Sequence, residues 1–242
     1  MIKKYLILAA LFCLSLLQSM AQEMTVIYEV RFNTSSTTAF ANLGLSDEMR
    51  ASLLNAYKDV VFTYTLNWKD GESQLRMIPS TKPQKINFMG QTMDLTASMN
   101  EAAKNYTYKN HEQKLILEKT SFLQKSYVVE GKTDSVTFIP DKSQTKEILG
   151  YECFLATSPD GKTKVWYTPH IPLPNEPIPT NLPGLALEVN NGEQIFTAVK
   201  IELDTVSEEP QRPESTETIS GEDFKEMVEK YTEMMKRGSQ TF

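Results

Sequence analysis

A proline-rich segment constrains the fold of this chain more than any other stretch. Six prolines lie within the fifteen residues 169–183, and the segment ends in Leu182-Pro183-Gly184-Leu185. Proline fixes φ and has no backbone N–H, so a run of this density forms neither a helix nor a central strand. The sequence therefore predicts a stiff, extended connector between two flanking strands.

The first 21 residues have the pattern of a secretory signal peptide. Lys3 and Lys4 precede an apolar run from Tyr5 to Leu17, and Ser19-Met20-Ala21 is a small-x-small cleavage site. The run is shorter than the roughly 20 residues that a membrane-spanning helix needs. We expect an exported protein, periplasmic, outer-membrane associated or extracellular, with no transmembrane segment after cleavage. Cys13 lies in the apolar run, so lipid attachment is an alternative.

Net charge and cysteine content limit the classes of partner and the covalent cross-links that this chain can have. The formal net charge is −6 and no basic residues cluster, which argues against nucleic acid as a partner. After cleavage Cys153 is the one remaining cysteine, so it cannot form an internal disulfide. It alternates with Tyr151 and Leu155, a pattern that predicts a buried, small apolar side chain.

Period-two alternation dominates residues 22–203 and predicts a single β-rich domain. Its clearest turns are Asp70-Gly71, Ser158 to Gly161 and Asn190 to Gly192, and a further short strand is predicted at Val136 to Ile139. No βαβ rhythm is present. The predicted fold is mainly β (β-rich α+β): a curved, open antiparallel sheet, similar to a half-barrel, with one or two covering helices.

Two regions of the domain carry helical patterns. A helix beginning after Ser46 or Asp47 would bury the stripe Met49, Leu53, Ala56, Tyr57 and Val60. Residues 80–110 leave two interpretations open, a strand pair from Lys85 to Leu95 and a helix within Asp94 to Tyr106.

The chain changes character after Leu203. Residues 204–221 lack aromatic residues and are rich in Glu, Pro, Ser and Thr, which predicts a linker. An amphipathic helix follows at 222–237, with Ser220 and Asp223 as its capping pair. Its apolar face consists of Phe224, Met227, Val228, Tyr231, Met234 and Met235. This face either docks on the protein's own sheet or contacts a partner.

The order of motifs over residues 148–201 resembles the GLPGLI family of exported proteins from Bacteroidota bacteria, which are largely of unknown function. The motifs are Ile148-Leu149-Gly150-Tyr151-Glu152-Cys153, then Val165-Trp166-Tyr167-Thr168-Pro169 with Ile171-Pro172, then Leu182-Pro183-Gly184-Leu185. The chain is identified as a divergent member, because Asn181 and Ala186 replace the first and last residues of the name motif. Glu176 stands where glycine is expected before Pro177. We expect Asn181 to keep the left-handed turn that glycine would supply.

The proline segment also supplies the candidate contact residues for a ligand or partner. They are Trp166, Tyr167, His170, Ile171, Leu182, Pro183, Gly184 and Leu185. One interpretation is a rigid loop that presents these side chains, since proline lowers the entropy lost on binding. The other is a strap, pinned over an open end of the sheet by Ile171, Leu182 and Leu185, in which Gly184 permits close backbone approach.

No pattern predicts a catalytic residue, a metal site or a cofactor. His111 and His170 have no partner at metal-ligand spacing, and no nucleophile or nucleotide-binding motif is present. We expect a non-catalytic envelope protein that binds a hydrophobic small molecule or peptide between sheet and helices. The alternatives are an accessory module for an outer-membrane protein and a hydrolase, which would need two or more titratable residues to converge beside His170 or His111.

Overall fold

The computed structural model describes residues 23–132, 136–214 and 217–238, without the side chains of Asn42 and residues 235–238. The predicted signal peptide, residues 1–21, lies outside this range. The strands are β1 (Glu23–Phe32), β2 (Phe62–Lys69), β3 (Glu72–Met77), β4 (Lys85–Phe88), β5 (Gln91–Asp94), β6 (Tyr106–Asn110), β7 (Leu115–Phe122), β8 (Lys125–Lys132), β9 (Ile139–Ile148), β10 (Tyr151–Thr157), β11 (Lys164–Thr168), β12 (Leu185–Asn190), β13 (Gln194–Leu203) and β14 (Thr218–Ser220). The helices are α1 (Asp47–Ala56), α2 (Thr96–Ala102) and α3 (Gly221–Gly238), with a 3-10 turn at Ala41–Leu43.

One large open sheet contains all of these strands except β4 and β5. Its strand order is β14-β8-β7-β6-β3-β2-β1-β13-β12-β11-β10-β9, and β4 and β5 pair separately. Neighbouring strands are antiparallel apart from β14, which runs parallel to β8. The prediction of a mainly β fold with an open sheet is confirmed, and β14 makes the sheet mixed.

The local turn signals account for the hairpins. Asp70 and Gly71 have φ of 48° and 82°, and the turn sets Tyr64 of β2 opposite Met77 of β3. Within residues 80–110, both interpretations of the sequence occur in succession, because β4 and β5 turn at Met89-Gly90 and α2 follows.

The edge strand β9 differs from the prediction. The sequence predicts a strand at Val136 to Ile139, whereas β9 begins at Ile139 and continues to Ile148. Pro140 is compatible with this strand because β9 lies at the edge of the sheet. Val136 instead makes an isolated bridge with Thr180 of the proline segment.

Three parts of the chain cover one face of the sheet, the front face, which carries Val26 of β1 and Leu66 of β2. The proline segment places Ile171 and Leu173 in the same core as these two side chains. A second core joins α1, α2 and the β4–β5 hairpin to the ends of β2 and β3; its buried members are Leu53, Val60, Met77, Ile86, Leu95, Met99 and Ala103.

The third cover of the front face is α3, which packs on the β7–β8 hairpin. Ser220 accepts a hydrogen bond from the Asp223 amide at 3.1 Å and caps the helix. The Phe224 ring lies 6.0 Å from that of Phe122 and 5.8 Å from that of Tyr127. The helix therefore docks on the protein's own sheet at its β8 side. Among the described residues, no helix has the length and apolar character needed to cross a membrane.

Residues 204–214, which the composition predicts to be a linker, lie along the opposite face, the back face. This face carries the buried polar side chains Thr25, Asn67 and Gln74. The Ser207 amide donates to Thr25 Oγ1 at 2.9 Å, and the Gln211 amide donates to Gln74 Oε1 at 2.8 Å. The segment thus adds hydrogen-bond partners to buried polar groups of the sheet.

Candidate functional site

The proline segment between β11 and β12 is held against the sheet as a strap. Of the candidate contact residues, those with buried positions are Tyr167, Ile171, Leu182, Gly184 and Leu185; Trp166 is half-buried, and His170 and Pro183 are exposed. The Leu185 amide donates to the Ile171 carbonyl oxygen at 2.9 Å, which closes the strap on itself. Most of the side chains predicted to meet a ligand therefore pack inside the protein.

Of two residues in the family motif, Asn181 has a different role from the one expected, whereas Gly184 makes the close backbone approach that the strap interpretation expects. Asn181 does not have a positive φ; its side-chain oxygen accepts a hydrogen bond from the Phe138 amide at 2.6 Å. The strap residue in the left-handed region is Asn175, with φ of 66°. Gly184 is required for space, because a Cβ there would lie 2.8 Å from the Thr168 carbonyl carbon and 2.9 Å from Pro169 Cα.

A buried ionic cluster lies under the strap. The Glu176 side chain is 0% exposed and that of Lys109, from β6, is 3% exposed. Lys109 Nζ donates to Glu176 Oε2 at 2.9 Å and to the carbonyl oxygens of Asn175 and Pro177 at 2.7 and 3.1 Å. All three ammonium hydrogens thus have acceptors, and all three acceptors belong to the strap.

The second carboxylate oxygen of Glu176 meets two residues at the other side of the cluster. Ser73 Oγ of β3 donates to Glu176 Oε1, and His111 Nε2 lies 3.0 Å from the same oxygen. Desolvation raises the pKa of Glu176, but the charge of Lys109 and the hydrogen bonds from His111 and Ser73 outweigh it, so this pKa lies below its ordinary value. Glu176 is therefore a charged, fully bonded anchor of the strap.

Glu176 and Lys109 converge beside His111, which is the condition stated for a hydrolase, and Ser73 adds a hydroxyl to the cluster. In a serine hydrolase relay, one imidazole nitrogen faces the hydroxyl and the other faces the acid. Here His111 Nε2 faces both, at 3.3 Å from Ser73 Oγ and 3.0 Å from Glu176 Oε1. Ser73 is also 1% exposed and gives its proton to Glu176. The geometry is that of a structural anchor.

A further feature of the sequence, Cys153, has a plain structural role. Cys153 is buried, as its alternation predicts, and desolvation raises its pKa to about 11, which leaves it a protonated thiol. Among the described residues, no three histidine, cysteine or carboxylate side chains converge as metal ligands.

A cleft of about 450 Å³ lies between residues 34–39 and α1. Arg50 lines this cleft, and its guanidinium donates to the Thr37 carbonyl oxygen at 2.8 Å and pairs with Asp47. The charge in this cleft is therefore already engaged by the protein itself.

The front face is open between the strap, α3 and the α1–α2 region. There the register aligns Leu75, Thr107, Glu118 and Val129 across β3, β6, β7 and β8, in the same row as the fully buried Val26 and Leu66. With Ile116 and Thr120, the next side chains on β7 that point the same way, these residues form what we call the open floor: Leu75, Thr107, Ile116, Glu118, Thr120 and Val129. None of the six is buried.

The back face of the same strands is buried instead. Tyr108, Leu117 and Val128 form a small core there, with Pro213 of the 204–214 segment also buried. Strands β6 to β8 thus bury Tyr108, Leu117 and Val128 on the back face, whereas on the front face the open floor is half-buried and Glu118 is exposed. A mixed apolar and hydroxylated surface flanked by three covering elements is a place where a ligand can bind.

The half-buried face of α3 borders the open floor. Phe224, Met227, Val228 and Tyr231 are half-buried and Met234 is 61% exposed, while the Met235 side chain lies outside the described part. The predicted helix face is therefore only partly occupied by the sheet.

Comparison with known proteins gives a fold likeness alone. No protein-family model and no curated protein matches the chain. The fold is similar to part of PNGF-II in two solved structures from different crystal forms. One has a TM-score of 0.50 at 15% sequence identity and the other 0.52 at 14%. Each match covers 86% of this chain and 33% of the PNGF-II chain, so this chain spans about a third of that protein's length.

Proposed function

We propose that this chain is an exported, non-catalytic envelope protein that binds a hydrophobic or peptide ligand on the open floor. The observation that supports it is the difference in burial between the two faces of β6 to β8, because the floor side chains remain half-buried or exposed beside the half-buried face of α3. In this proposal the sheet curves around the floor as a half-barrel. Membership of the GLPGLI family, export and an envelope location remain parts of the proposal.

The burial of the strap moves the proposed contact surface away from the residues that the sequence singled out. Ile171, Leu182 and Leu185 hold the strap in place and so are not available to a ligand. The open floor carries apolar Leu75, Ile116 and Val129, and its polar groups can orient a ligand.

A neutral dye tests binding on the floor. We expect the protein to bind N-phenyl-1-naphthylamine, which fluoresces in apolar sites, and we expect Thr107→Trp to weaken this binding at least about tenfold because the indole fills the floor. The control is Thr145→Trp, at an exposed threonine of β9. Absence of saturable dye binding, or equal binding by the Thr107 variant, would contradict the proposal.

A second candidate function is an accessory module that docks on an outer-membrane protein through α3. The exposure of Met234, at the end of a half-buried apolar stripe, favours it, since adaptable methionine surfaces suit protein contacts. The strap is a poorer contact surface because its apolar side chains are buried.

Deleting residues 221–242 separates this function from folding. The shortened chain keeps the 204–214 segment on the back face and β14 on β8, so we expect it to fold, with a modest loss of stability from exposing Phe122 and Tyr127. Loss of association with the outer-membrane fraction, with a native circular dichroism spectrum, supports docking through α3. Unchanged association refutes it. Deleting residues 204–242 also uncovers Asn67 and Gln74 and is expected to abolish folding.

A further inference from the structure

Glu118 lies at the centre of the open floor. The register places it between Thr107 of β6 and Val129 of β8, with Leu75 of β3 beyond Thr107. Within the described residues, no side chain forms an ion pair or a hydrogen bond with its carboxylate. It is the one charged group of the six floor residues.

Glu118 is exposed to solvent and yet surrounded by protein. Its side chain is accessible, but desolvation by the neighbouring protein raises its pKa. Both properties hold for a carboxylate on the floor of a concave surface, where water reaches the group from one side only. The field of such a charge is less screened than that of a carboxylate on a convex surface.

The nearby lysines do not compensate this charge. Lys109, in the adjacent row, gives all three of its hydrogens to the strap. On α3, Lys225 pairs with Glu229 at 3.9 Å and Lys230 pairs with Glu226 at 2.6 Å. The floor therefore favours a ligand that brings its own cation.

The hydroxyl groups beside Glu118 favour a peptide over an acyl chain. Thr107 and Thr120 present donor and acceptor groups on the floor, and an acyl chain would cover them without replacing their hydrogen bonds to water, which is unfavourable. A peptide backbone can bond to them. The floor spans the four neighbouring strands β3, β6, β7 and β8. It is therefore roughly 14 Å wide, which is the length of about four extended residues.

We propose that the open floor binds an extended peptide segment with a lysine or arginine side chain, whose cation pairs with Glu118 while flanking apolar side chains contact Leu75, Ile116 and Val129. This proposal rests on the proposed function, because it names the ligand class of the same surface. It assigns Glu118 as the specificity-determining residue.

Two fluorescent peptides of equal length test the charge pairing. One has a central lysine between two leucines on each side, and the other has norleucine in place of the lysine. We expect the lysine peptide to bind at least about tenfold more tightly at low ionic strength, and the preference to shrink as salt is added. Fluorescence anisotropy measures both affinities.

The variant Glu118→Gln should bind both peptides equally, because it removes the charge and keeps the shape. The matched control is Glu130→Gln, at an exposed glutamate of β8 on the back face, which should keep the preference. Equal binding of the two peptides by the native protein, or a preference that persists in Glu118→Gln, would overturn the proposal.

The dye experiment distinguishes failure of the basic-peptide proposal from failure of the proposed function. If the dye binds, and Thr107→Trp blocks it, while the two peptides bind equally, the floor is a ligand site and only the basic-peptide assignment fails. If neither the dye nor either peptide binds, the proposed function fails as well.

Discussion

Replacing Lys109 with methionine is expected to lower the free energy of unfolding by about 3–5 kcal/mol. The substitution leaves the carboxylate of Glu176 buried without its lysine partner, and it also removes the donor to the Asn175 and Pro177 carbonyl oxygens. Methionine has a similar volume, so the loss is electrostatic rather than a cavity effect. Urea-induced unfolding followed by circular dichroism measures it.

The control for Lys109→Met is Lys104→Met, at a lysine whose side chain is 67% exposed beside Glu101. Exposed ion pairs contribute little, so this variant should change stability by less than about 1 kcal/mol. The double variant Lys109→Met with Glu176→Gln should recover much of the lost stability, because no buried charge remains. Equal effects of the two single lysine variants would show that the cluster does not anchor the strap.

A local measurement connects the cluster to the strap itself. The Ala186 amide donates to the Glu176 carbonyl oxygen at 3.0 Å, so release of this part of the strap exposes that amide. We expect hydrogen exchange of Ala186 to accelerate in Lys109→Met more than exchange in the Asp70-Gly71 hairpin. A uniform increase across the sheet would indicate global destabilisation only.

The same cluster makes stability depend on pH in a defined direction. The pKa of Glu176 is lower in the folded protein than its ordinary value of 4.5, so the unfolded chain takes up the proton first. The stability contributed by this group is present above that ordinary value and is lost as the pH falls through the lower, folded pKa. Glu176→Gln should lack this component. In Lys109→Met, acidification should reduce the penalty, because protonation removes the unpaired charge.

Local signals in the sequence predict the hairpins and the strap, but they do not predict the anchor. Asp70-Gly71 specifies its turn within four residues, and the proline density rules out helix and central strand by itself. The anchor joins Ser73, Lys109 and Glu176, which are separated by 36 to 103 positions in the chain. In a period-two pattern, Lys109 is predicted to face solvent. Glu176 is noticeable in the sequence only because it departs from a family motif.

Residues 204–214 show a second limit of composition. A segment rich in Glu, Pro, Ser and Thr has too little apolar surface to join a hydrophobic core, which is why it predicts a linker. The back face that it meets is polar, however, with Asn67 and Gln74 buried in mid-strand. Hydrogen bonds, such as that of the Ser207 hydroxyl to Asn67 Oδ1 at 2.8 Å, hold the segment, and a hydrophobicity pattern cannot register them.

The sequence predicts part of the open floor, namely which side chains of β7 share a face. The alternation along β7 places Ile116, Glu118 and Thr120 on one face and Leu115 and Leu117 on the other, which marks the second face as the buried one. What the alternation cannot supply is which elements border the exposed face. That depends on α3 returning along β8 and on the strap crossing β6, both of which are long-range contacts.

Replacing Gly184 with alanine is expected to destabilise the protein by about 3 kcal/mol or more. The added Cβ would collide with the Thr168 carbonyl oxygen and lie 2.8 Å from the Thr168 carbonyl carbon. These are backbone atoms at the end of β11, and they cannot move without breaking the register in which Thr168 faces Leu185. The strap would have to shift away from β11, which would also withdraw Leu182 and Leu185 from their cores.

Gly131→Ala, in β8, is the matched control, because no atom lies within 4 Å of its added Cβ. The midpoint temperature of thermal unfolding should be clearly lower for the Gly184 variant than for the native protein, and it should change little in either direction for the Gly131 variant. Similar midpoints for the two variants would mean that the strap tolerates displacement, and the leucine-proline-glycine-leucine motif would then need an explanation other than close backbone contact.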